Sequence, residues 1–182
     1  MLWQIGIALA VIIALFVILV ATRPGTFRIQ RSTTIAASPD ALFDLVNDFH
    51  KWQAWSPWEN IDPTLQRNYS GPTAGVGASY HWIGNKKVGE GRMTIQQSDP
   101  ARRIAIKLEF LKPFAATNAA TFTFAPTPAG TTVTWIMEGG KSNFMCKCFS
   151  LLMSMDKMVG PYFEKGLANM KNLAEHQPVP TA

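Results

Sequence analysis

Two cysteines in 182 residues are too few to hold a secreted domain together by disulfides. Cys146 and Cys148 are also too close in sequence for an ordinary structural bridge. No His or third Cys stands near enough to complete a tetrahedral metal set with them. On a helix, positions i and i+2 face different ways, so both read as ordinary helix residues and no metal is expected. Histidine is equally sparse, with only His50, His81 and His176. No Ser-His-Asp, Cys-His or paired-carboxylate arrangement can be assembled, so no catalytic residue is assigned. There is no phosphate loop, and no cofactor is expected. Acidic residues number 12 against 17 Lys and Arg, a net charge of +5. The basic residues are scattered, Lys86-Lys87 being the only dense pair. With no helix-turn-helix or finger signature, nucleic acid is not an expected partner.

Charged side chains are entirely missing from residues 3–21, WQIGIALAVIIALFVILVA. At about 1.5 Å per residue this run would span roughly 28 Å, close to a bilayer's hydrocarbon core. It is too long for a cleaved signal, has no basic residue before it, and ends in a poor cleavage site. The expectation is a retained transmembrane anchor over residues 1–22 and a linker over 23–26. A domain over 27–176 and a disordered tail over 177–182 follow. Arg23, Arg28 and Arg31 follow the run and no Lys or Arg precedes it. By the positive-inside rule this predicts a single-pass protein of the inner (cytoplasmic) membrane with its domain facing the cytoplasm.

Within the domain, alternation over Phe27–Ala37 predicts a strand. Ser38 as N-cap and Pro39 as first helical residue predict a helix to about Asp48, with Leu42, Phe43, Leu45 and Val46 on its apolar face. A second helical turn follows over His50–Trp55. Strands are expected at 65–70, 76–83, 87–98, 102–111, 117–125 and 130–139, separated by Gly, Pro, Asn and Asp turn signals. A long helix is expected over Asn143–Glu175, kinked at Gly160-Pro161. A curved sheet can bury its inner face only against something equally long, so it should wrap around this helix.

The segments Ile35-Ala36-Ala37-Ser38-Pro39, Trp52-Gln53-Ala54-Trp55-Ser56-Pro57-Trp58 and Gly75-Val76-Gly77-Ala78 carry a family resemblance. So do Tyr80-His81-Trp82, Val88-Gly89-Glu90-Gly91, Gly130-Thr131-Thr132-Val133-Thr134-Trp135 and Met155-Asp156-Lys157-Met158-Val159-Gly160. Over about residues 26–175 the chain resembles the START-like, helix-grip superfamily (SRPBCC), and within it the bacterial polyketide cyclase/dehydrase group. The resemblance implies an α+β fold, a curved antiparallel sheet of about seven strands around a long C-terminal helix. It also implies a cavity between sheet and helix, since members of this superfamily bind lipids, sterols and polyketides and only some are enzymes.

On this reading the interior would be lined by Trp55, Trp58, Tyr80, Trp82, Met93, Phe110, Phe122, Trp135, Met137, Met155, Asp156 and Met158. Aromatic walls with a few polar tips suit a small-molecule pocket, and methionine adapts to irregular shapes. Gly89 and Gly91, inward on one strand, would leave room for a cavity or for close approach of the helix. His81 should point outward, and His50 stands near a possible pocket mouth. Asp156 is a candidate base if buried, or a helix-anchoring ion pair. The expected function is a non-enzymatic, membrane-anchored binding module holding a hydrophobic lipid, isoprenoid or polyketide-like molecule. Its expected partners are that molecule and the membrane, through the N-terminal helix. The alternatives are a cyclase/dehydratase-like enzyme, for which the sequence offers only Asp156 and Tyr80, and a structural or partner-binding domain with a filled core.

Overall fold

The computed structural model describes residues 2–22, 25–140 and 154–176. An apolar helix, α1 (Leu2–Ala21), precedes the domain. Strand β1 (Thr26–Ile35) leads to α2 (Pro39–Asn47) and a short 3₁₀ helix, η1 (Phe49–Ala54). Six strands follow: β2 (Gln66–Ser70), β3 (Ser79–Ile83), β4 (Glu90–Asp99), β5 (Arg103–Lys112), β6 (Ala116–Thr127) and β7 (Gly130–Gly140). A final helix, α3 (Met155–His176), completes the order.

The strands form one seven-stranded antiparallel sheet in the order β1-β7-β6-β5-β4-β3-β2. Strands β2 to β7 therefore make a meander, and β1 closes on β7. This is the helix-grip arrangement that the alternation and turn signals imply. Inward positions alternate along every strand, as Ile29, Ile35, Ile95, Ile104, Ile106, Phe122 and Val133, all nearly fully buried, illustrate. They meet Leu42 and Val46 of α2 and Phe163, Leu167 and Met170 of α3.

Local chemistry sets the element ends. The Ser38 hydroxyl accepts from the Ala41 amide at 3.3 Å, with Pro39 as first helical residue. Two carbonyls in the last turn of α2, which lack partners inside the helix, receive indole N–H groups. Trp55 donates to Leu45 and Trp52 to Val46, each at 3.0 Å. The two tryptophans thus fold η1 back beneath α2.

Two expectations are corrected. Among the described residues, no helix is long and apolar enough to cross a membrane. The transmembrane anchor and the single-pass inner-membrane localisation are therefore not supported, nor is membrane partnership through this helix. The Gly-x-Gly strand does not open space, because the Trp82 ring lies over Gly91 and Gly89 is a turn residue with φ +70°. Helix α3 runs through Gly160 and Pro161 as one element. The expected start of the last helix at 143–153, with Cys146 and Cys148, and the tail 177–182 lie outside the described residues.

Candidate ligand-binding site

Three tryptophans of the segment 52–58 pack under the sheet beside α3, and Trp135 on β7 is the centre of the cluster. Its ring stacks on Phe163 of α3 at 4.0 Å and 8° and on Phe122 of β6 at 4.8 Å and 29°. Trp52, Trp55 and Trp58 meet it edge-on at 6.4, 5.6 and 5.5 Å. Trp58 also stacks on Tyr162 at 5.6 Å. Gly166 lets α3 come this close, because a Cβ there would lie 3.0 Å from the Trp135 ring. Trp135 is 3 % exposed, and its Nε1 has no hydrogen-bond partner among the described residues. An indole N–H is a donor only, so this group can be satisfied solely by an incoming acceptor.

A second group lies toward β2. Tyr80 is buried and donates to Glu59 Oε1 at 2.8 Å; Glu59 Oε2 accepts from Arg67 Nε at 2.6 Å. Arg67 also reaches the Glu59 carbonyl at 3.0 Å. Burial, and then the Glu59 carboxylate, push the Tyr80 phenol well above its ordinary range, so it stays protonated. Asp62, equally buried, takes the Thr64 amide and hydroxyl at 2.9 and 2.7 Å and the Asn85 amide. These bonds hold its carboxyl below the usual carboxylate range and tie the β3–β4 turn to the loop before β2. Every polar tip in this group is occupied.

The remaining expected site residues separate. Met93 and Met137 are buried inward; Phe110 is half-buried and meets Trp82 edge-on at 6.0 Å. The Trp82 N–H points to the Val88 carbonyl at 3.5 Å. Its ring lies across Gly91, its cross-strand partner, where a Cβ would sit 2.3 Å from ring carbon. The space at Gly91 is therefore filled by Trp82, and is neither a cavity nor a helix contact. Gly89 is a turn residue with φ +70° against the Lys112 carbonyl, not an inward strand position. Met155 is half-buried, whereas Met158 is 46 % exposed and leaves the expected set.

Asp156 is half-exposed and bound to Arg31 through both oxygens, at 2.8 and 3.1 Å. Arg31 also binds Glu164 at 2.7 Å, and its guanidinium passes over Gly160, where a Cβ would lie 2.2 Å from Nη2. Arg31 holds the Asp156 carboxyl below its ordinary range, so the geometry makes it part of a clamp between β1 and α3. His81 is half-buried on the outward face and pairs with Glu90 at 3.2 Å, which also holds Lys112 at 2.7 Å.

Two cavities stand out. One, of about 920 Å³, runs across the sheet and is bordered mostly by outward side chains, among them Arg28, Lys107, Ala119 and Glu138. The other, of about 220 Å³, is bordered by Phe49, His50, Tyr69, the 70–73 turn, Ala78 and Ser79. Among the described residues no group of three or more His, Cys, Asp or Glu could hold a metal.

Glu59, Asp62 and the Arg31 clamp were not foreseen as a set. Glu59 and Asp62 sit in a loop, where burial leaves no periodic signal, and Arg31 reads from sequence as one of several scattered basic residues.

A sheet gripping one long helix, with an aromatic interior between them, defines the class: a helix-grip α+β domain. The chain belongs to the family described as polyketide cyclase / dehydrase and lipid transport, whose profile matches residues 26–175. Solved structures of the same fold include protein CV1439 from Chromobacterium violaceum (17 % identity, TM-score 0.57, covering 84 % of this chain and 99 % of that one). The Aha1 dimer from Colwellia psychrerythraea is similar at 16 % identity and TM-score 0.55, covering 84 % and 99 %. The di-domain ARO/CYC StfQ from the steffimycin biosynthetic pathway is similar at 12 % identity and TM-score 0.61, covering 84 % of this chain and 51 % of that one. At these identities the likeness speaks for the fold. No curated protein matches the sequence.

Proposed function

We propose that the domain is a binding module that takes up an apolar, ring-containing molecule bearing one acceptor oxygen, between the sheet and α3. The observation that carries this reading is the buried Trp135 Nε1 with no acceptor among the described residues. An unsatisfied buried donor costs about 1–3 kcal/mol, which a ligand carbonyl or ether oxygen would restore. The flat faces of Trp135, Phe122, Phe163 and Trp58 suit a polyketide-like ring or an isoprenoid. The family description, which pairs cyclase and dehydrase with lipid transport, and the pathway named for StfQ support the same ligand class. Burying about 300 Å² of apolar ligand surface at about 25 cal/mol per Å² contributes roughly 7 kcal/mol before association costs, enough for micromolar binding. The stacked rings fill the interior, so entry requires α3 to shift and Phe163 to leave the face of Trp135.

The close stacking equally favours a second reading, a structural domain with a filled core. One substitution separates the two. Trp135→Phe removes the N–H and keeps an aromatic ring. If the module binds an acceptor-bearing ligand, this variant loses about tenfold in affinity for a cyclic ketone and little for the matching hydrocarbon. Titration followed by tryptophan fluorescence reads both. If neither compound binds the parent protein and the variant is as stable or more stable, the filled core stands.

A further inference from the structure

We infer that the Asp48–His50 pair is the acceptor end of a second, separate binding site, one that takes a small hydroxylic ring such as a phenol or enol. Asp48 N-caps η1, and its Oδ1 accepts both the His50 amide at 2.9 Å and the His50 ring Nδ1 at 2.7 Å. A carboxylate only accepts, so Nδ1 carries the hydrogen, and whenever the ring is neutral Nε2 is its lone pair. The ring is held on its face as well. It stacks on Tyr69 at 4.0 Å, Tyr69 stacks on Tyr80 at 5.1 Å, and Tyr80 is fixed by Glu59. The Tyr69 hydroxyl receives Gln53 Nε2 at 3.3 Å, which steadies the middle ring of the stack. Among the described residues nothing bonds to His50 Nε2.

This oriented imidazole borders the 220 Å³ cavity. The cavity's buried side is apolar, formed by Phe49 and Ala78, each 1 % exposed. The exposed 70–73 turn, which carries Ser70 and Thr73, also borders it. At about 30 Å³ per water its volume is that of about seven waters, close to one six-membered ring with a single oxygen. An apolar floor, a fixed imidazole and hydroxyl-bearing residues along its border match a molecule with one flat apolar part and one O–H. The O–H donates to Nε2 while the ring lies on Phe49. This site is independent of the one between sheet and α3, since neither Trp135 nor α3 borders it.

The test uses the full chain labelled with ¹⁵N and phenol as the probe. Long-range ¹H–¹⁵N spectra at neutral pH should show His50 as the Nδ1–H tautomer. Adding phenol should move the Nε2 resonance saturably in the millimolar range. His50→Phe should weaken phenol binding about tenfold, read from the Ala78 and Ser79 amides, while leaving titration at Trp135 unchanged. Asp48→Asn should keep the fold and lose the single-tautomer signature together with affinity. An Nε2 resonance that phenol does not move would overturn the proposal, as would equal phenol affinity in His50→Phe.

Discussion

Among the described residues, buried polar side chains divide into those that close a hydrogen-bond account and the one that does not. Trp52, Trp55 and Tyr80 all place their polar tips on named acceptors. Trp135 is built into the same core with its tip unused. Tyr80→Phe is therefore expected to destabilise by about 1–3 kcal/mol, because it leaves Glu59 Oε1 buried without its donor. Urea unfolding monitored by circular dichroism checks this, and an unchanged midpoint would remove Tyr80 from the network. Gly91→Ala is expected to cost a similar amount, since the new methyl would meet Trp82 ring carbon at 2.3 Å and the Glu109 carbonyl at 2.6 Å. The same unfolding experiment decides it. At this scale the sequence exposed much of the residue type and facing, but it could not say which tip met which acceptor. The Gly-x-Gly pair shows why. Alternation puts Gly91 inward correctly, yet only the register that pairs it with Trp82 reveals that the vacant volume is already taken.

Among elements, α3 is held to the sheet by its edge. Arg31 grips Asp156 and Glu164, Lys171 reaches the Thr34 carbonyl at 2.9 Å, and Glu175 receives the Ala36 amide at 2.8 Å. All of these ties are to β1 or the residue just after it, so α3 is fastened along one side and packed through aromatics on the other. Arg31 lowers the Asp156 carboxyl below its ordinary 3.8, and the Ala36 amide lowers Glu175 below its ordinary 4.5. Groups lowered in the folded state stabilise it above their unfolded values, and that contribution is lost as pH falls through the folded ones. Thermal stability is expected to drop as pH falls below about 4.5, with Arg31→Gln flattening the part due to Asp156. Melting temperature measured against pH checks it, and an identical slope in the variant would show that the clamp does not couple to folding. The elements themselves were largely legible in the sequence. The N-cap at Ser38, the turn residues and the strand alternation all acted locally and gave boundaries within a few residues. The clamp was not legible, because Arg31 and Asp156 are 125 positions apart.

For the whole molecule, one face of the sheet is committed to α2, η1 and α3, while the other carries the broad groove near Arg28, Lys107 and Glu138. Uptake into an interior packed this fully, as proposed, would go by exchange: a ligand would have to replace ring–ring contacts with its own. Saturation at about a hundred times Kd should raise stability by about 2.7 kcal/mol. A cyclic ketone added to the parent protein is thus expected to raise Tm and to slow amide exchange in α3. An unchanged Tm at saturating ketone would oppose uptake between sheet and helix. The apolar helix α1 shows how a composition argument can overreach at this scale. Its lack of charge was plain from the sequence, but among the described residues no helix is long and apolar enough to cross a membrane.

The chain by itself determined the fold class, the strand order of a meander and most of the inward apolar positions along the strands. These follow from periodicity, turn chemistry and caps, which act between residues a few positions apart. Tertiary structure alone decided which inward residues pack solidly and which polar tip stays unpaired. It also decided that Asp156 grips Arg31, that Met158 faces out and that His50 is aimed by Asp48 at the edge of a cavity. Those outcomes depend on register, on ring orientation and on partners brought together by closure of the sheet around the helix, and no local pattern encodes them.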